Sequence, residues 1–228
     1  IPLDLLFGNP GKAAPKISPD GRRLAFLAPE DGVLNLWLAD APRPDAPARA
    51  VTKDRGRGIR SYFWASDNEH LVYVQDKDGD ENWHLYKVHV GTGAVADLTP
   101  FPGAQAHPVS TDPKFPDEML VSANDRDARL HDVLRVNVRT GAFARVCENP
   151  GDVIGWLPDA DFRVRAAKAQ RADGGSELRV RDSEEAPWRV LAAWGPDDQG
   201  GALGWTPDGK ALYVETSLGA DTSRLVVM

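Results

Sequence analysis

Short apolar runs recur along the chain at a nearly constant spacing of about 47 residues. The run after each turn reads "LAFLA", "LVYVQ", "MLVSA", "FRVRA" and "LYVET", and a second and third run follow it in most repeats. The runs are rich in Val, Leu, Tyr and Trp and are bounded by Gly, Pro, Asp and Asn, which is typical of β-strands joined by tight turns. Helical periodicity is not apparent, so the pattern predicts an all-β chain.

One aspartate marks the same turn in every repeat, although the third copy is the weakest and Asp117 fits its turn equally well. The five turn aspartates are Asp20, Asp67, Asp112, Asp159 and Asp208. In "SPDG" and "TPDG" the proline presets φ, the aspartate side chain caps the turn and the glycine takes a positive φ, so we interpret these residues as turn formers. A large or branched apolar residue stands three positions earlier, namely Ile17, Trp64, Val109, Trp156 and Trp205. We expect the tryptophans to lie on the first strand of each unit and to fill the gap between sheets.

Four strands in about 47 residues predict the blade of a β-propeller, an antiparallel sheet that must be covered on both faces. The units lie near residues 10–54, 55–101, 102–149, 150–194 and 195–228 of one propeller domain. Four blades are complete and the fifth lacks its last strand, so we expect an incomplete ring and hence a fragment of a longer protein. An open sheet edge promotes pairing with other chains, so we expect the isolated chain to aggregate or dimerise.

Composition and charge limit the kinds of molecule that the protein is expected to bind and the compartment in which it is expected to work. The net charge of −7 and the pI near 5.2 argue against nucleic acid, which is bound through lysine and arginine. No apolar run is long enough to cross a bilayer, and the first residues lack the basic and apolar segments of a signal peptide. A single cysteine, Cys147, fits a reducing compartment, so we expect a cytoplasmic protein. A homo-oligomer is left open.

The sequence holds no convincing catalytic or metal-binding set. The segment nearest to the G-x-S-x-G elbow of an α/β-hydrolase surrounds Ser176 and lacks the final glycine, and it falls where a hairpin turn is expected. His84 and His89 lie on one predicted strand at an odd spacing that points them to opposite faces. With one cysteine and five histidines a zinc site is not expected, and we predict no cofactor.

The acidic segment "DKDGDEN" at 76–82 resembles the start of a calcium loop, with carboxylates at its first, third and fifth positions. These are Asp76, Asp78 and Asp80. However, Glu81 stands where an EF-hand needs glycine and Lys87 stands where it needs glutamate, and the flanks are strands. We therefore favour a solvated hairpin over a metal site.

The same hairpin and the basic link "KDRGRGIR" at 53–60, which joins the first and second blades, predict a charged rim. In a four-stranded antiparallel blade, the turn between strands two and three shares an end with the link to the next blade. The simplest interpretation is two solvated loops; the functional hypothesis is a rim that meets another domain or a peptide by charge complementarity. The candidate rim residues are Arg55, Arg57, Arg60, Asp76, Asp78, Asp80, Glu81 and Asn82.

Three stretches resemble the N-terminal propeller of the prolyl oligopeptidase (S9) family of serine peptidases, most of all its acylaminoacyl-peptidase-like branch. They are "LFGNPGKAAPKISPDGRRLAFLAP" at 6–29, "YVQDKDGDENWHLYKVHVGTG" at 73–93 and "LTPFPG" at 98–103. The "SPDG…LAF" units alone are also found in TolB-like propellers. The opening "LFGNP" together with "GDEN…LY" is more specific.

The resemblance implies a propeller that gates and positions short peptides for a C-terminal α/β-hydrolase domain. In that domain a serine attacks the scissile carbonyl, a histidine acts as base and an aspartate orients the histidine. None of those motif positions exists in this chain, so no catalytic residue is assigned here. The alternative is a TolB-like or WD-type propeller that serves as a non-catalytic scaffold for protein binding.

Overall fold

The computed structural model describes residues 2–3, 7–41, 43 and 47–228. The start of the resemblance at 6–29 and part of the unit at 10–54 therefore lie outside the described residues. Within those residues the chain forms 19 strands in five antiparallel sheets, and each sheet takes its strands in chain order. The first four sheets have four strands and the fifth has three, which confirms the predicted fold class of four complete blades and part of a fifth.

The strands match the repeat seen in the sequence. The first sheet comprises β1 (Ala13–Ile17), β2 (Arg23–Glu30), β3 (Val33–Asp40) and β4 (Arg49–Ala50). The second comprises β5 (Ser61–Trp64), β6 (His70–Gln75), β7 (His84–His89) and β8 (Val95–Asp97). The third comprises β9 (Ala106–Thr111), β10 (Glu118–Asp127), β11 (Leu130–Asn137) and β12 (Phe143–Cys147). The fourth comprises β13 (Val153–Pro158), β14 (Val164–Gln170), β15 (Ser176–Val180) and β16 (Arg189–Trp194), and the fifth β17 (Gly200–Trp205), β18 (Leu212–Thr216) and β19 (Arg224–Val227).

The chain divides into two compact units, and the division passes through the third sheet. The first unit consists of residues 1–107, 111–119 and 136–143. The second consists of residues 108–110, 120–135 and 144–228. The unit boundaries proposed from the sequence, and a single domain spanning residues 1–228, remain predictions.

Each unit has its own apolar core between facing sheets. In the first unit, alternate residues of sheets 1 and 2 interlock, and the buried members include Leu27, Leu36, Tyr62, Trp64 and Leu71. In the second unit, sheets 4 and 5 meet through residues that include Ala166, Leu178, Trp194, Leu212 and Val214. Since successive side chains of a strand point to opposite faces, each sheet is apolar on the face that it packs.

The turn aspartates and the repeated tryptophans take the predicted places. Each turn aspartate lies between the first and second strands of its sheet and accepts hydrogen bonds from backbone N–H groups two to four residues later. Trp64, Trp156 and Trp205 lie on the first strands. The Trp64 indole donates to the Lys16 carbonyl at 3.0 Å, which joins sheet 2 to sheet 1. These residues are thus structural, as interpreted from the sequence.

Candidate functional site

The link between sheets 1 and 2 contacts the acidic hairpin between β6 and β7 in the first compact unit. Arg57 Nη1 lies 2.7 Å from Asp76 Oδ2. The Asp76 side chain is only 2% exposed, whereas that of Arg57 is 44% exposed. The guanidinium therefore covers a carboxylate that is otherwise withdrawn from water, and the two predicted loops do meet at one end of their sheets.

The link is held by a buried amide that the sequence analysis did not single out. Asn35, on β3, accepts hydrogen bonds from the Asp54 N–H at 2.7 Å and from Thr52 Oγ1 at 2.8 Å, and it donates to the Asp54 carbonyl at 3.1 Å. Asp54 Oδ2 in turn accepts the Gly58 N–H at 2.7 Å. Gly58 has φ +77° and packs against the Leu34 backbone, so the link turns sharply before the chain enters sheet 2. The available signal was an asparagine inside the apolar run "VLNLWL".

The hairpin fits closely under the arginine. Gly79 has φ +87°, and a Cβ there would lie 2.9 Å from Arg57 Nη1, so this position suits glycine. The Glu81 N–H donates to Asp76 Oδ2 at 3.3 Å, and the Glu81 carbonyl accepts a hydrogen bond from Gln105 Nε2 at 3.0 Å. The buried carboxylate therefore holds the two ends of the hairpin as well as the link.

Asp80 stabilises the turn itself. Its carboxylate accepts hydrogen bonds from the backbone N–H groups of Lys77 and Asn82 at 3.2 and 3.0 Å, and from Asn82 Nδ2 at 3.2 Å. Desolvation acts to raise the pKa of Asp80, but the hydrogen bonds from Asn82 and Lys77 outweigh it and lower that pKa. The charged form of Asp80 is therefore stabilised by its own turn.

The remaining predicted rim residues are not drawn into this contact. Arg55 pairs with Asp31 at the β2–β3 turn, and the hydrogen bond that its guanidinium donates to that carboxylate raises the Arg55 pKa. Arg60 and Asp78 are exposed, and neither has a hydrogen bond or ion pair with any described residue. The structure thus joins Arg57 to the hairpin, places Arg55 on a neighbouring turn, and leaves Arg60 and Asp78 facing solvent.

The three aspartates that suggested a calcium loop serve different purposes. Asp76 binds Arg57, Asp80 caps its own turn, and Asp78 faces solvent. Across the described residues no group of three or more His, Cys, Asp or Glu side chains is arranged to hold a metal ion. The hairpin is therefore organised by hydrogen bonds and by one ion pair.

Ser176 occupies the place expected for a hairpin residue. It is the first residue of β15, directly after the turn at 171–175, and it pairs in register with Gln170 and Trp194. His84, the other candidate considered, binds Asp97 with 2.7 Å between Nδ1 and Oδ2. These loops therefore combine one fixed ion pair with charges that face solvent.

A second polar cluster, in the other compact unit, was also missed by the sequence analysis. The fully buried Asp132 carboxylate accepts hydrogen bonds from Arg126 Nε at 2.6 Å and from the Asn149 N–H at 2.7 Å, and it pairs with Arg145. Burial acts to raise the pKa of Asp132, but the hydrogen bonds from Arg126 and Asn149 outweigh it and lower the pKa. Asp132 occupies the same strand position in β11 as Asn35 in β3, where both hold the link to the next sheet.

None of the described helical residues forms a segment long and apolar enough to span a bilayer.

Two relatives match the chain over its whole length. The chain is 41% identical over 232 residues to dipeptidyl aminopeptidase BIII of Pseudoxanthomonas mexicana, a match that covers 99% of this chain and 33% of that protein. It is 26% identical over 244 residues to dipeptidyl peptidase family member 6 of Caenorhabditis elegans, which covers 100% of this chain and 32% of that protein. The chain therefore spans about a third of the length of these relatives. No protein-family model matches it.

Solved structures share the fold at low identity. A prolyl endopeptidase superposes with a TM-score of 0.63 at 14% identity, over 95% of this chain and 35% of that one. The β-propeller domain of the trilobed protease from Pyrococcus furiosus superposes with a TM-score of 0.55 at 15% identity, over 96% of this chain and 68% of that one. TolB from Acinetobacter baumannii superposes with a TM-score of 0.53 at 14% identity, over 90% of this chain and 51% of that one. The predicted resemblance is confirmed, and the chain is a β-propeller segment of the type found at the N-terminus of S9-family peptidases.

Proposed function

We propose that this chain is the substrate-gating and positioning propeller of a serine peptidase that hydrolyses short peptides. The observation that carries the proposal is the 41% identity to dipeptidyl aminopeptidase BIII across 99% of the chain. In this proposal a catalytic α/β-hydrolase domain follows in the same polypeptide and supplies the serine, aspartate and histidine. The propeller restricts access, so short peptides reach the serine and folded proteins do not.

The name of the 41% relative favours one cleavage mode. A dipeptidyl aminopeptidase releases two residues at a time from a free N-terminus, and we extend that activity to the full-length form of this protein. The acylaminoacyl-peptidase-like branch favoured from sequence motifs is represented by structures only 14–15% identical, which support the fold and not the substrate.

The charged loops are proposed as the contact with the hydrolase domain or with the peptide. Arg57 and Asp76 fix the shape of the two loops, and Arg60, Asp78 and Glu81 present exposed charges on them. Such exposed charges steer partners and set register more than they add affinity. The cytoplasmic location expected from the single cysteine belongs to the same proposal.

The test is peptide cleavage by the full-length protein. We expect an unblocked hexapeptide to lose its N-terminal dipeptide, followed by the next, as read by mass spectrometry. An N-acetylated copy of the same peptide should be cut at least about tenfold more slowly. Release of single residues, or equal cleavage of the acetylated peptide, would contradict the dipeptidyl mode while retaining a peptidase.

The second candidate function is a non-catalytic scaffold, since TolB propellers share the fold over 88–90% of the chain. That similarity is at 14–19% identity and supports the fold alone. A folded full-length protein that cleaves no peptide of two to ten residues would favour the scaffold.

A further inference from the structure

A lysine lies on the packing face between sheets 4 and 5 in the second compact unit. Lys168 is on β14, two residues after the core residue Ala166, and it pairs in register with Leu178 on β15. Since residues two apart on a strand, and residues directly opposite on neighbouring strands, share a face, the Lys168 side chain leaves β14 on the side of sheet 5. Lysine is rarely found at such a position without a partner.

Glycine residues of the facing strand lie opposite this side chain. A Cβ on Gly201, in β17, would lie 3.9 Å from both Cδ and Nζ of Lys168. The neighbouring Gly200 is required for another reason, because a Cβ there would overlap the indole of the fully buried Trp194. Gly201 therefore lies next to the Lys168 side chain, whereas Gly200 provides the room that the Trp194 indole needs.

This space is a pocket, and Lys168 is one of the residues that line it. Its volume is about 190 Å³. Gly155, Gly201 and Ala202 give it walls of small residues that leave the backbone accessible, and Trp156, Leu157 and Leu178 give it an apolar side. Such a pocket has room for a carboxylate together with part of the residue that carries it.

The Lys168 ammonium group lacks a counterion among the residues that the structure describes. No described residue accepts a hydrogen bond from Lys168 or forms an ion pair with it. Arg179 binds the carboxylates of both Asp152 and Glu177. Glu177 and Arg179 flank Leu178 on β15, so their side chains leave that strand on the face opposite to Leu178 and Lys168. The Lys168 ammonium group is therefore available to pair with an anion that enters the pocket.

We propose that the Lys168 pocket binds the C-terminal carboxylate of a short peptide substrate. The proposal rests on the proposed function, and it names the substrate class as peptides short enough for their free C-terminus to reach the propeller. Lys168 Nζ donates to the carboxylate, the glycine walls allow the peptide backbone to approach, and the apolar side takes the last side chain.

The experiment compares peptide acids with the matching C-terminal amides, using the full-length protein and its Lys168→Met and Lys168→Arg variants. For Lys168→Met we expect kcat/KM on a tetrapeptide acid to fall about tenfold or more, mainly through KM, because a charge-assisted hydrogen bond is lost. The tetrapeptide amide should be cleaved as by the parent protein, and Lys168→Arg should restore most of the acid's rate. Lys210→Met, which removes an exposed lysine of the same unit, is the control and should alter neither substrate.

Folding and the proposed function are checked separately. Methionine suits the apolar surroundings of position 168, so the melting temperature of Lys168→Met should match that of the control. Calorimetric titration with a non-hydrolysed N-acetyl tripeptide acid and its amide measures the pocket directly. Equal binding of acid and amide by the parent protein would overturn the Lys168 proposal. Preferential binding of the acid with no cleavage of any peptide would retain the pocket and overturn the proposed function.

Discussion

Arg57 covers Asp76: the guanidinium Nη1 lies 2.7 Å from a carboxylate oxygen whose side chain is 2% exposed. This contact joins the link between sheets 1 and 2 to the hairpin that follows β6. It fixes the shape of the loops proposed to meet the hydrolase domain or the peptide.

Removal of Arg57 should destabilise the protein more than removal of a solvent-facing arginine of the same link. Arg57→Ser leaves the buried Asp76 carboxylate without its cation, and we expect the free energy of unfolding to fall by about 1–3 kcal/mol. Arg60→Ser should change it by less than about 0.5 kcal/mol, since the exposed Arg60 side chain forms no hydrogen bond or ion pair with a described residue. Urea denaturation measures both. Adding Asp76→Asn to Arg57→Ser should recover part of the loss; a further full loss would show that the two residues act independently.

Replacement of the three link arginines together should alter function. Arg55, Arg57 and Arg60 changed to serine remove the positive charge of the rim, so we expect KM for charged short peptides, or docking of the hydrolase domain, to change by about threefold or more. Serine at three exposed cations elsewhere, Arg22, Lys114 and Lys210, controls for net charge. If peptide preference and assembly are the same in both triple variants, the rim has no role in recognition.

A methyl group at Gly200 should disrupt the core between sheets 4 and 5. A Cβ there would overlap the buried Trp194 indole, so Gly200→Ala is expected to cost about 1–3 kcal/mol or more of unfolding free energy. Gly204, on the same strand, has open space at its Cβ position, and Gly204→Ala should be nearly neutral. Equal melting temperatures for the two variants would contradict the packing described for Trp194.

The Asp132 cluster should make stability sensitive to acid. Because hydrogen bonds from Arg126 and Asn149 lower the pKa of Asp132 below the usual 3.8, its contribution is present above pH 3.8 and is lost as the pH falls through the folded pKa. We expect Asp132→Asn to be less stable than the parent protein near neutral pH, with the difference shrinking toward pH 3. Denaturant titrations between pH 3 and pH 7 measure this. A constant difference across that range would show that ionisation of Asp132 contributes nothing.

The fold could be predicted because its signals are local and repeated. Asp67 caps its turn by accepting a hydrogen bond from the backbone of Glu69, and Trp64 lies three residues before it in the sequence. A few neighbouring residues therefore identify each blade. The position of the basic link and the acidic hairpin at the same end of their sheets also follows from strand order alone. The fold class and the meeting of these loops were therefore accessible before any coordinates.

The particular contacts could not be predicted, because they depend on how sheets face one another. Arg57 pairs with Asp76, whereas Arg55, two residues earlier, pairs with Asp31. The sequence of the basic link does not indicate which arginine binds which aspartate. Asn35 lies within the apolar run "VLNLWL", and Lys168 lies among alanines in "RAAKAQ". Only the register and the opposing strand show that the link satisfies Asn35, whereas Lys168 forms no hydrogen bond or ion pair with a described residue.

The most direct test of the central claim is labelling of the folded full-length protein with a fluorophosphonate, followed by mapping of the labelled peptide. We expect stoichiometric labelling of one serine that lies after residue 228 of the full-length protein, and loss of peptide cleavage in step with labelling. A folded protein that takes up no label and cleaves no short peptide would contradict the claim that this propeller serves a serine peptidase.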